Sequence, residues 1–156
     1  MARKKNRKGR KPPPKCKAIL LCDHTIIEAG TGKVSIIGTF DSFFVLTFPG
    51  ATAPFTAFLQ MTDGIGSYVI TVEVHDLQQD KILARADGPA IDFPNRSVKM
   101  NIGIPVPPLP VNHPGRCDFV VFADGQEIDR QQFEVHQPQP PEPAEGGHHA
   151  EDPNAE

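Results

Sequence analysis

Apolar and polar positions alternate along most of this chain, and the alternation reads as a succession of short strands. The cleanest is Ser67–Asp76, where Tyr68, Ile70, Val72 and Val74 share one face and Thr71, Glu73 and His75 the other. Period two with one apolar face marks an antiparallel strand half-buried against a core. Pro54–Thr62 behaves alike, with Phe55, Ala57, Leu59 and Met61 on one face. Lys17–Glu28 is the first strand, and its early part, Ala18–Cys22, is apolar on both faces. A turn at Ala29–Gly32 returns it into the β-rich run Val34–Phe48, which Pro49-Gly50 ends. Gly38 inside that run predicts a bulge or a close backbone approach. After a turn at Leu77–Asp80, Lys81–Ala86 pairs back; Asp87–Asn95, with Pro89 and Pro94, reads as loop. Val98, Met100 and Ile102 resume the alternation. Ile104–Leu109 carries three prolines and fits only a loop or a sheet edge, because proline cannot donate to a ladder.

The last element, His113–Val135, reads as a closing hairpin. Asp124-Gly125 between two alternating runs is a strong hairpin signal, since glycine accepts the positive φ that tight turns need. Cys117, Phe119 and Val121 fall on one face; Ile128 can join them, but Phe133 and Val135 have the opposite parity to Ile128. A bulge between Asp129 and Gln132 would reconcile the two.

No stretch of ten or more residues keeps a helical period. About seven to nine short strands predict an all-β fold, an immunoglobulin-like two-sheet antiparallel β-sandwich. The Cys…Trp…Cys core of antibody domains is absent, because the chain has no Trp.

Charge divides the 156 residues into three parts, though the net formal charge is only −3. Residues 1–17 hold nine of the sixteen Lys and Arg and no acid, and five acids without a base follow Val135. We therefore expect a disordered basic tail (1–16), a β-sandwich domain (17–137) and a disordered acidic, Pro-rich tail (138–156). The acidic balance between them argues against a domain that itself reads nucleic acid.

Cys16, Cys22 and Cys117 show no zinc spacing, and three is an awkward number for a disulfide framework. Cys22 and Cys117 could cross-link if the fold brought them together; buried thiols are the plainer expectation. The apolar run Ala18–Cys22 is too short for an export signal, and no stretch is long enough for a membrane span. A cytoplasmic protein is expected.

With the strands placed, a family pattern emerges. Ala18–Asp23 reads A-x-L-L-x-D and Gly32–Asp41 reads G-K-x-x-x-x-G-x-F-D, while a Pro-Gly at 114–115 and an Asp-Gly at 124–125 close the domain. The matching residues are Leu20, Asp23, Gly32, Lys33, Gly38, Phe40, Asp41 and Pro49, then Pro114, Gly115, Phe119, Asp124, Gly125 and Val135. In this the chain resembles an uncharacterised family of small bacterial proteins, a domain of unknown function, over about residues 18–135. Cys117 stands where an aromatic is usual. The resemblance implies a β-sandwich and a bacterial source, and no activity.

Candidate chemistry is thin. Ala29–Lys33 lacks the earlier Gly and the Ser or Thr after Lys that a phosphate loop needs, so it reads as a hairpin turn. Asp63, Asp76, Asp80, Asp87 and Asp92 lie in or beside loops but without the clustering calcium requires. Cys22 and His24 share a face, and His75 is nearby in pattern only; His148-His149 sits in the tail. Asn95-Arg96-Ser97 is a glycosylation sequon that has no meaning in a chain that is not exported. No catalytic residue, cofactor or metal is expected.

Two functions remain. The first is a non-catalytic module that presents an edge strand or loop face to an unknown protein, with Phe58, Val120 and Phe122 as the contact surface because they oppose the core parity. The second is a nucleic-acid- or ribosome-associated protein, holding a polyanion non-specifically through Arg3, Lys4, Lys5, Arg7, Lys8, Arg10 and Lys11.

Overall fold

The computed structural model describes residues 11–141, and the disorder expected of residues 1–10 and of the acidic tail from 142 falls outside them. Eleven strands and no helix make up the described chain: β1 (Lys15–Ile27), β2 (Val34–Phe40), β3 (Ser42–Phe44), β4 (Gly50–Ala51), β5 (Phe55–Thr62), β6 (Gly66–Asp76), β7 (Lys81–Phe93), β8 (Met100–Val106), β9 (Pro110–Val111), β10 (Gly115–Ala123) and β11 (Gln126–His136). With no helix, the described residues contain none long and apolar enough to cross a membrane.

Two sheets carry the fold, ordered β2-β1-β5-β8 (sheet A) and β3-β11-β10-β6-β7 (sheet B), with a small β4-β9 pair beside them. Their apolar faces meet in one core. Ile19, Leu21, Phe55, Ala57, Leu59 and Met61 come from sheet A, and Tyr68, Ile70, Val72, Val74, Phe119, Val121, Phe133 and Val135 from sheet B. The parities read from β5, β6 and β10 therefore hold. Every pairing is antiparallel save one: β3 runs parallel to β11, with Val135 opposite Phe43.

The run Val34–Phe48 is not one strand. Phe40 points into the core from sheet A and Phe43 from sheet B, their rings 4.5 Å apart. The chain must cross from one sheet to the other at Asp41, and that crossing accounts for one of the short strands beyond the expected count. The 87–95 stretch also departs from expectation, because β7 continues through Pro89 to Phe93. β7 is an edge strand paired only with β6, so Pro89 has no second neighbour to which it would owe an N–H.

The closing hairpin forms as expected, with Asp124 and Gly125 both at positive φ (48° and 76°). Its bulge lies just before the expected window. Pairing jumps from Phe122↔Glu127 to Val121↔Asp129, and from Asp129 to Val135 the ladder is unbroken. Ile128 is the extra residue: it packs against the core while Glu127 turns outward to Arg130, so parity is reset at Ile128 itself.

The N-terminal boundary also moves. Residues 11–16, expected to belong to the tail, lie against the domain, and β1 starts at Lys15. The Tyr68 hydroxyl donates to the Pro12 carbonyl at 2.7 Å and accepts the Ile65 N–H at 3.1 Å. Lys15 pairs with Asp63 at 3.0 Å.

Candidate interaction surface

The β1–β2 hairpin outlasts its neighbour. β5 accompanies β1 only as far as Thr56↔Cys22, whereas β1 and β2 pair on to Ile27↔Val34. The overhang is a two-stranded arm. A Cβ placed on Gly103 of β8 would stand 2.7 Å from Thr25 Oγ1, so the arm rests on the outer face of sheet A and needs glycine there. At its root Gly38 takes φ +67°, and the Asp23 carboxylate fills the space a side chain would occupy. At its tip the Glu28 N–H donates to the Lys33 carbonyl at 2.8 Å, with Gly30 and Gly32 at positive φ. The Ala29–Lys33 segment is thus a hairpin turn.

The arm overturns one expected contact residue. Phe58, cross-strand neighbour of Gly103 and Leu20, is only 6 % exposed, and Cys22 beside it is fully buried. What the arm leaves open is its other side, where Ile26 and Ile37 are exposed, and its tip, where Ile27 is exposed. Past the crossing to sheet B, Phe44 and Leu46 are 70 % and 78 % exposed. Six of the ten large exposed apolar residues among the described ones therefore fall between Leu20 and Leu46, in the segment that runs from β1 through β2 and past β3.

Val120 is overturned by a different cover. It lies between Glu73 and Arg130 on the outer face of sheet B and has no exposed surface. Glu73 is held by His75 (2.6 Å) and Arg85 (3.1 Å), and Arg130 by Asp118 (2.8 Å) and both carboxylate oxygens of Glu127 (2.8 and 2.9 Å). Side chains tied down in this way shield Val120 with their methylene stems. Phe122, the third expected contact residue, is half-buried at the margin of this network, between Thr71 and Glu127.

Several other titratable groups have partners within the fold. Asp76 accepts the Gln78 and Gln79 N–H groups and faces His113 Nε2 at 2.7 Å. Burial raises the Asp76 carboxyl, but those donors outweigh it and leave it below its ordinary range. The Pro114 carbonyl, and then Asp76, hold the His113 imidazole above its ordinary value against the opposing effect of burial. Burial pushes the Cys117 thiol up to about 12, with Asp76 and Asp118 adding to it, and Cys16 up to about 11. Burial, then Asp23, likewise raises Cys22. Cys22 and Cys117 lie in different sheets, and all three cysteines are free. Of the loop aspartates, Asp63 is engaged by Lys15 and Arg96, Asp76 by His113 and Asp87 by Thr71 and Arg85. Among the described residues no group of three or more His, Cys, Asp or Glu is placed to hold a metal ion.

Of the seven basic residues expected to meet a polyanion, only Lys11 is described; the other six lie outside the described residues. Its ammonium sits 3.7 Å from the centre of the Tyr68 ring, bonds the Ser67 carbonyl and lies 3.6 Å from Asp124. On the far side of the sandwich an apolar groove of about 290 Å³ opens between β7 and β8, lined by Ile70, Val72, Ile91, Ile102 and Ile104 and flanked by Pro89 and Pro105. Pattern reading missed the exposed Ile26, Ile27, Ile37, Phe44 and Leu46. The available signal was the run Val34–Phe48, which carries a single charge, Asp41.

A family model described as a family of unknown function (DUF6941) matches residues 17–136, nearly the whole of the folded part. No curated protein matches the chain.

Proposed function

The chain belongs to the family of unknown function DUF6941, and we propose that it is a non-catalytic module that binds another protein through the β2–β3 side of its sandwich. The observation that carries this reading is the exposure of Ile26, Ile27, Ile37, Phe44 and Leu46, strung along the arm and the β3 edge that follows it. Large apolar side chains left in water cost solubility, and where they concentrate they are the usual mark of a contact site. Binding without catalysis suits the same molecule: its thiols are held protonated at neutral pH, and its buried carboxylates Glu73, Asp76 and Asp118 are each spent on a partner in the fold. Free thiols suit a reducing compartment such as the cytoplasm.

The test is a comparative capture with the full chain and with Phe44→Ser/Leu46→Ser, both checked for native circular dichroism. We expect a partner retained by the wild type and lost by the double variant. Equal recovery by both would overturn the assignment. Capture that instead needs residues 3–10 and falls steeply with salt would favour polyanion binding.

A further inference from the structure

A sandwich of two open sheets has four edge strands, here β2, β8, β3 and β7. Natural proteins blunt such edges with proline, charge, bulges or brevity, because an unpaired row of N–H and C=O groups is a template for another strand. Three of the four are blunted. β7 carries Pro89, Arg85 and Asp87 and two register shifts against β6. β8 contains Pro105 and runs into Pro107 and Pro108, and β3 is three residues long. β2 differs from all of them: VSIIGTF has no charge and no proline, and its Ile37 is exposed.

Resting on the assignment of the β2–β3 side as the contact surface, we propose that its occupant is a second copy of this chain, paired β2 to β2 across a two-fold axis. Antiparallel pairing about such an axis keeps each sheet face continuous, so it joins residues of equal parity. An axis through Ile36 pairs Ser35 with Ile37 of the second copy and Val34 with Gly38. The charges fit this register. Lys33 and Asp41 bracket the uncharged strand, and neither takes part in an ion pair among the described residues. In the pair, Lys33 of each copy faces Thr39 of the other, beside the Asp41 that follows the end of that strand, a separation a lysine side chain spans. The contact is self-complementary in charge and covers the exposed isoleucine of β2.

Sedimentation of the full-length protein over a concentration series tests this. The wild type should show a concentration-dependent monomer–dimer equilibrium. Lys33→Glu and Asp41→Lys should each weaken it by about tenfold, and the double exchange Lys33→Glu/Asp41→Lys should restore it, because opposed like charges cost what opposite charges gain. A wild type that stays monomeric at every concentration overturns the proposal, as does a dimer indifferent to both single exchanges. The two assignments fail separately. A monomer whose Phe44→Ser/Leu46→Ser variant loses a captured partner keeps the interaction surface and removes only the second copy.

Discussion

Phe58 and Val120 stand on the two outer faces of the sandwich, both out of register with the core, and both are buried. They are covered by opposite means. On sheet A the chain doubles back as a two-stranded arm, and two glycines make room for it: Gly103 beneath Thr25 and Gly38 beneath the Asp23 carboxylate. On sheet B nothing is added to the backbone. Glu73, Arg85, Arg130, Asp118 and Glu127 lie flat and tie one another down. Parity decides which face a side chain leaves from; what then covers that face is decided elsewhere, by an overhanging hairpin or by long charged neighbours. One cover is steric and should be insensitive to salt, the other electrostatic in its locking and apolar in its shielding.

The sharpest break comes from a single Cβ. Gly38→Ala places a side chain at positive φ and against Asp23, and should lower stability by about 2 kcal/mol or more. It should also lift the arm enough to make the Cys22 thiol accessible. Urea unfolding and the rate of thiol labelling would show it, and unchanged values for both would mean that the arm does not depend on this glycine.

On the other face, Arg130→Met should cost roughly 1 kcal/mol by leaving the buried Asp118 without its guanidinium, since Arg130 itself is half exposed and screened. Arg130→Ala should cost more, by the lost shielding of Val120. Equal losses from the two variants would show that the stem covers nothing. Only the Asp118 part should shrink when salt is added.

The smallest effect belongs to neither cover. The His113–Asp76 contact joins the strand-end turns, and its two shifts bound a pH window. Asp76, lowered, contributes above its unfolded value near 3.8 and loses that contribution as acid protonates it; His113, raised, contributes below its unfolded value near 6.5 and loses it as pH climbs through the folded value. The contact is therefore complete between about pH 4 and 6.5. His113→Gln should flatten the alkaline side of the stability profile, by under about 1 kcal/mol, and leave the acid side sloping.

Much of this was legible in the sequence. Alternation in β5, β6 and β10 named the core faces, Asp124-Gly125 named the turn, and opposed parity in β11 required a bulge. The bulge came out at Ile128 because the pattern cannot say which residue absorbs the extra position when an apolar one can tuck inward. The split at Asp41 was hidden because Phe40 and Phe43 are both apolar whichever sheet they serve. The contact surface was misplaced for the same kind of reason. Phe58 and Val120 were judged by their own parity, while their covers come from Thr25, Glu73 and Arg130, remote in sequence. The exposed Ile37, Phe44 and Leu46 could be read only from the absence of charge around them.

Tyr68 is the only tyrosine in a chain without tryptophan. Its ring packs edge-on against Phe93, its hydroxyl holds Pro12, and Lys11 caps its face. Every tyrosine absorbance or emission signal therefore comes from the site where Lys11 and Pro12 meet the domain. The molecule carries a built-in optical reporter for that junction, and detachment of the segment can be followed in the native protein without a label.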